Sequence, residues 1–218
     1  MVLVSGAPGS GKTSLAVPLA AELGFALLSK DRIKETLHDA LGAPVSDLAW
    51  SNRLGAAAME LLWTLAADAP AVVLEANFRP RHAYGQSRIS ALSARPVEVN
   101  CVCPPELAAR RYAERAATSH PVHVVASLTP EMLAEFDRPV GIGELITVDT
   151  TAPVDVAALA EHVLASLSAS VDVLSATPSD VPLCTRLTSL SAPVWRRGCE
   201  NSTVSACRPH DRTAVRLE

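Results

Sequence analysis

The octapeptide Gly6-Ala-Pro-Gly-Ser-Gly-Lys12-Thr13 limits the possible folds more than any other stretch of the chain. It satisfies G-x-x-x-x-G-K-[ST] at every required position, and its glycines let the backbone turn several N–H groups toward one point. The apolar run Met1-Val-Leu-Val-Ser5 precedes it without polar alternation, which reads as a strand buried on both faces. A helical pattern begins at Lys12. A chance glycine-rich turn needs neither flank, whereas a phosphate-cradling loop needs both.

The following residues continue in the same manner. Apolar runs at 1–5, 26–29, 71–75, 97–102 and 145–148 predict strands. Helices are expected at 12–23, 32–41, 47–67, 82–94, 104–117 and 154–168, with a short one near 130–136. Strands alternating with helices through short links imply an α/β fold, a doubly wound parallel sheet of about five strands. Pro18 predicts a kink or a disturbed start in the first helix. Leu54, Ala58, Leu61, Leu62 and Leu65 are expected on one face of the third. From about residue 169, Ser, Thr, Pro and Arg mix without a period. The chain therefore divides into a nucleotide-binding domain at 1–168 and a poorly ordered extension at 169–218, which holds Cys184, Cys199 and Cys207.

Composition narrows the function classes. With 49% hydrophobic and 19% charged residues the chain can bury a core. Its formal net charge of -4 argues against broad affinity for nucleic-acid backbones. No apolar run reaches the roughly 18 residues of a membrane span, and Lys12 comes too early for a signal peptide. Five cysteines, an odd count without paired spacing, fit a reducing compartment, so a cytoplasmic protein is expected. Lysine is scarce: only Lys12, Lys30 and Lys34, against 16 arginines.

The chemistry-bearing residues follow from the loop. Gly6, Ala7, Pro8, Gly9, Ser10, Gly11, Lys12, Thr13 and Ser14 would form the nucleotide cradle. Lys12 supplies a point charge for the β- and γ-phosphates, and the Thr13 hydroxyl can ligate Mg2+. The chain lacks N-K-x-D, so ATP is expected rather than GTP, and its body is too small for a ring-forming ATPase with a helical lid domain. Asp31 follows the second strand, where it could serve a reacting hydroxyl or cap the next helix. Arg32 and Lys30 could hold an acceptor or a phosphate. Glu75 ends a buried strand, where an acid is costly unless it is paired or near a metal. Asn77, Arg79 and Arg81 follow it, with Arg79 a candidate acceptor contact. Arg111 and Arg115 lie four apart and share a helical face, where an anion or the acids Glu106 and Glu114 would relieve their repulsion. His120 and His123 lack a third ligand at suitable spacing, so zinc is not expected. Cys101 and Cys103 read as small core residues.

Five segments in order carry a resemblance: residues 6–13, Leu28-Ser-Lys-Asp-Arg-Ile-Lys34, Val73-Leu-Glu-Ala-Asn-Phe78, Arg111-x-x-x-Arg115 and Thr147-Val-Asp-Thr150. Together they resemble small P-loop kinases of the AAA-type ATP-binding family, related to chloramphenicol phosphotransferase, zeta toxin and the kinase domain of polynucleotide kinase. The resemblance spans about 1–168 and implies an adenylate kinase-like architecture with a small lid. It implies transfer of the γ-phosphoryl of Mg-ATP to a hydroxyl of a small molecule. A nucleic-acid end, a cell-wall precursor or a regulatory ATPase role are the alternatives. In such kinases the acid at Asp31 orients the acceptor and takes its proton, the acid at Glu75 reaches Mg2+ or, through its longer side chain, the substrate, and Arg111 and Arg115 belong to a lid over ATP. The 149–153 loop would lie near the adenine. Two departures stand out: Glu-Ala-Asn replaces the commoner D-x-T-N, and Val122 replaces the glycine of H-P-G-H.

Overall fold

A computed structural model of the chain describes residues 1–175 except 43–46, 94 and 137. The extension expected from 169, with its three cysteines, lies outside the described residues beyond Ser175. The strands are β1 (Val2–Gly6), β2 (Ala26–Ser29), β3 (Val72–Glu75), β4 (Val97–Val102) and β5 (Glu144–Asp149). All pairings are parallel, in the order β2-β3-β1-β4-β5. The helices are α1 (Lys12–Leu23), α2 (Lys30–Leu41), α3 (Leu48–Asp68), α4 (Ala83–Leu92), α5 (Pro105–Ala116), α6 (Pro130–Ala134) and α7 (Val156–Ser175). Among the described residues no helix is long and apolar enough to cross a membrane.

The expected doubly wound sheet of five strands is present, and side-chain alternation on it builds two cores. Val2 and Val4 join Val73, Val97 and Val99 on the face covered by Leu15 and Leu19 of α1 and Leu159 and Val163 of α7. Leu3 and Leu74 point the other way, against Leu62 and Trp63 of α3 and Ile89 of α4. A strand buried on both faces must be apolar throughout, which is why β1 carries no alternation.

Several local expectations are corrected. Helix α1 spans Lys12–Leu23 as expected, with Pro18 inside it on the exposed side while Leu15, Ala16, Leu19 and Ala20 face the core. Helix α2 begins at Lys30, so Ser29 occupies the N-cap position and Asp31 lies in the first turn, where its charge suits the helix dipole. The buried stripe of α3 is Ser51, Leu54, Ala58, Leu62, Trp63 and Ala66. Leu61 and Leu65 are exposed instead. Apolarity and helical spacing marked all five expected residues, and only packing against the rest of the fold separates buried Leu54, Ala58 and Leu62 from exposed Leu61 and Leu65. Helix α7 extends past 168 to Ser175.

This assignment of the α3 face has a measurable consequence. Leu62→Ala should destabilise the protein by about 2–5 kcal/mol, and Leu65→Ala by no more than about 0.5 kcal/mol, in urea unfolding. Equal losses would contradict the face described.

Candidate functional site

The site forms at the carboxyl end of the sheet, where β1 delivers the loop 7–11 into α1. Gly6 has φ 131, and a Cβ there would collide with the Cys101 carbonyl oxygen on β4. Gly9 has φ 80, and a Cβ there would strike the Ala108 carbonyl of α5. The loop therefore takes a backbone path closed to other residues. Thr150 Oγ1 donates to the Ser10 carbonyl at 2.7 Å, tying the loop to the segment after β5. Lys12 is buried, and its Nζ donates to the Ala7 carbonyl at 2.8 Å. That uses one of its three N–H groups. Ser10 Oγ is buried without a partner. Free donors in a glycine-shaped cradle fit a bound polyphosphate.

Register brings the acids together. Ser29 of β2 and Val4 of β1 flank Glu75 of β3 in the parallel pairing. Glu75 is 2% exposed and accepts from Ser29 Oγ at 2.6 Å and from Thr13 Oγ1 at 3.2 Å. Its hydrogen-bond partners are thus two hydroxyls, and it makes no ion pair among the described residues. A buried carboxylate beside a threonine hydroxyl is an oxygen donor set that fits Mg2+. Asp31 lines the same cleft as Thr13 and pairs with Lys30 Nζ at 3.0 Å.

Other expected residues divide between cavities. A phosphate cleft of about 710 Å³ is lined by Lys12, Thr13, Asp31, Arg32, Glu75, Asn77 and Arg115, among others. Arg115 lies over the Tyr112 ring, 5.7 Å from its centroid. Arg111 does not line that cleft: its Nη2 donates to the Thr150 carbonyl at 3.0 Å, and it lines an adjoining cavity of about 380 Å³ with Ala152, Pro153 and with Gly11 and Ser14, which border both. The two arginines line different cavities. The solvated pairing open to this helix is met by Arg110, which lies 3.9 Å from Glu114, while among the described residues Arg111 and Arg115 make no ion pair with Glu106 or Glu114. Arg79 lines a third cavity, a chamber of about 850 Å³ walled by Trp63, Phe78 and Ile89, but its guanidinium is held by Glu135 at 2.7 Å.

With this geometry in hand, the AAA domain family matches residues 1–139. The chain belongs to that family. A provisionally assigned kinase from Chloroflexus aurantiacus J-10-fl is 30% identical, with a TM-score of 0.61 over 76% of this chain and 96% of that one. Shikimate kinase from Acinetobacter baumannii, solved with shikimate, shares the fold at 16% identity and a TM-score of 0.50, over 78% of this chain and 93% of that one. Among curated proteins none matches. The fold is that of the small P-loop kinases.

The electrostatics of this AAA domain favour anions. All three lysines of the chain line the phosphate cleft. With Arg32 and Arg115 they make five cations against Asp31, Glu35 and Glu75 in a chain whose formal net charge is -4. Burial pushes Lys12 down to about 8, against the upward pull of Glu75 and Asp31. Burial also pushes Lys34 down to about 8, and the like charge of Lys30 adds to it. Burial would raise Asp31, but the charge and hydrogen bond of Lys30, helped by His123 and Lys12, hold it below its ordinary value. Asp31 is therefore a carboxylate at neutral pH, ready to accept a hydrogen bond.

Sequence reasoning assigned no role to several residues that shape the site. Lys34 Nζ donates to Ser51 Oγ at 2.7 Å, which donates to the Val122 carbonyl at 2.7 Å, so α2, α3 and the segment after α5 are joined. The scarcity of lysine was the signal for it. Buried Glu98 accepts from Ser5 Oγ at 2.5 Å and from the N–H groups of Val140 and Gly141 at 2.9 Å each. It fixes the loop whose Val140 walls the chamber. Nothing in the strand pattern distinguished it from an edge acid.

The Lys34 shift sets a pH dependence. Its native value of about 8 lies below the ordinary 10.5, so the native state sheds this proton first as pH rises. Native stability attributable to Lys34 therefore increases between pH 8 and 10.5. Lys34→Met has no proton to lose there. Its unfolding free energy relative to wild type should shift in favour of the wild type across that window, by urea titration at each pH. A difference that stays flat with pH would contradict the assignment.

Proposed function

We propose that this chain transfers the γ-phosphoryl group of Mg-ATP to a hydroxyl group of a small organic molecule. One observation carries the reading: the phosphate cleft opens into the apolar chamber. Pro8, Lys30, Lys34, Ser51, Asn52, Asn77 and Met132 line both. The chamber, about 850 Å³, is of a size that suits a small molecule, with aromatic and aliphatic walls and a few polar groups for orientation. A nucleotide site alone has no need of such an annex.

The proposed roles follow from position. The loop 6–14 cradles the phosphates, with Lys12 at the β- and γ-groups. The cavity beside Arg111, Thr150 and Pro153 takes the adenine. Thr13 and Glu75 hold the metal, which when bound neutralises charge on the transferring group. Asp31 orients the acceptor hydroxyl from the cleft wall and takes its proton as the new P–O bond forms and the bond to ADP breaks. Its lowered pKa makes orientation the larger part of that role and proton acceptance a late event. Arg115 serves charge on the phosphoryl in flight. Arg32 and Asn77 contact the acceptor, with Arg79 acting from its pair with Glu135. The unit assigned this activity ends with α7.

The test is ATP consumption with a panel of small hydroxylated compounds, read together with phosphorylated product by mass spectrometry. An acceptor should accelerate ATP loss with equal formation of its phosphate ester. Lys12→Ala should lose ATP binding. Asp31→Asn should keep it and slow transfer by roughly 100-fold or more. Wild-type turnover in Asp31→Asn would remove the role of Asp31. ATP loss that no compound accelerates would remove the transfer reading.

A further inference from the structure

We propose that His38 and Asp39 of α2, with His120 of the segment after α5, form a binding site for a divalent transition-metal ion of the zinc class. Sequence spacing offered only His120 and His123, without a third ligand. Folding supplies two from elsewhere. His120 Nε2 lies 3.0 Å from Asp39 Oδ1, and His38 Nδ1 lies 3.3 Å from the same oxygen. The three ligand atoms all lie within 4.8 Å of one another. A tetrahedron with metal–ligand bonds of about 2.0–2.1 Å has edges of about 3.3–3.4 Å, so small movements of these side chains close the triad around an ion.

The surroundings favour such a site. The histidine side chains are 17% and 22% exposed, so their rings have limited freedom, while Asp39 at 68% leaves room for water as a fourth ligand. The rings meet edge-on, 5.0 Å apart, and so do not stack and cover the gap. One turn earlier on α2, Glu35 Oε1 lies 2.8 Å from His123 Nε2 and holds the segment in place. The Val122 N–H points at His120 Nδ1 at 3.2 Å, which puts the proton of the neutral ring on Nε2. Metal binding moves that proton to Nδ1 and opens this long local contact. Two imidazoles and one carboxylate suit zinc, cobalt or nickel, whereas Mg2+ prefers oxygen alone, so this site is distinct from the Thr13–Glu75 pair. An ion here would join α2, which carries Asp31, to the segment following Arg115, and thereby tie two walls of the phosphate cleft.

The experiment is titration of the chelator-treated full chain with Co2+, followed by visible absorption, and with Zn2+ against a chromogenic chelator. One equivalent should bind with a nitrogen–oxygen spectrum that lacks thiolate bands, and excess Mg2+ should not displace it. His38→Gln, His120→Gln and Asp39→Asn should each weaken binding by more than roughly 10-fold, the low end of what even outer-shell changes cost. Asp39 is largely exposed, so its variant keeps the fold, which circular dichroism verifies. Unchanged affinity in the folded variants, thiolate bands, displacement by Mg2+, or no uptake by the wild type would each overturn the proposal.

Discussion

The site depends on one buried carboxylate. Glu75 ends β3, the strand between β1 and β2, and its two oxygens reach a hydroxyl on either side. Thr13 belongs to the helix that the phosphate loop opens. Ser29 holds the N-cap position of the helix that carries Asp31. The N-cap serine gives its hydroxyl to Glu75 and makes no side-chain cap of its own helix. A charge this deeply buried is unfavourable unless its surroundings compensate it. Lys12 is near enough to be felt, yet among the described residues no cation pairs with Glu75 directly. Its two oxygens thus tie the start of α1 to the start of α2, the two elements that frame the cleft.

The same economy appears in the cations. Lys12 and Lys34 are both buried and both pushed down to about 8 by that burial. Two desolvated ammonium groups in one cleft weaken the ligand-free protein and strengthen its hold on anions. Arg111 and Arg115, one turn apart, open onto different cavities. On the proposed function, a single helix addresses the base end and the phosphate end of one nucleotide.

What the sequence disclosed and what it concealed have physical reasons. The phosphate loop was legible because its function resides in contiguous backbone, which glycine positions report directly. The strands were legible because a parallel sheet covered on both faces demands apolar runs. The buried face of α3 was less so, since Leu61 and Leu65 are as apolar as Leu62 and only packing separates them. Helix α2 begins two residues earlier than expected because Ser29, not Asp31, stands at its cap. Arg79 read as a candidate acceptor contact, and its pair with Glu135 was hidden because Glu135 lies on a distant segment that folding brings to it. His120 lacked a third metal ligand in sequence for the same reason. Pairings across the sheet ends, such as Ser29 with Glu75, carry no local pattern at all.

The central claim is that Glu75 both organises the cleft and serves the metal. Calorimetry of ATP binding with Mg2+ and with chelator, on wild type and Glu75→Gln, tests it most directly. The wild type should bind ATP more tightly with Mg2+, and Glu75→Gln should lose most of that difference while keeping its metal-free affinity. A Glu75→Gln variant with the full Mg2+ dependence of the wild type would contradict the account.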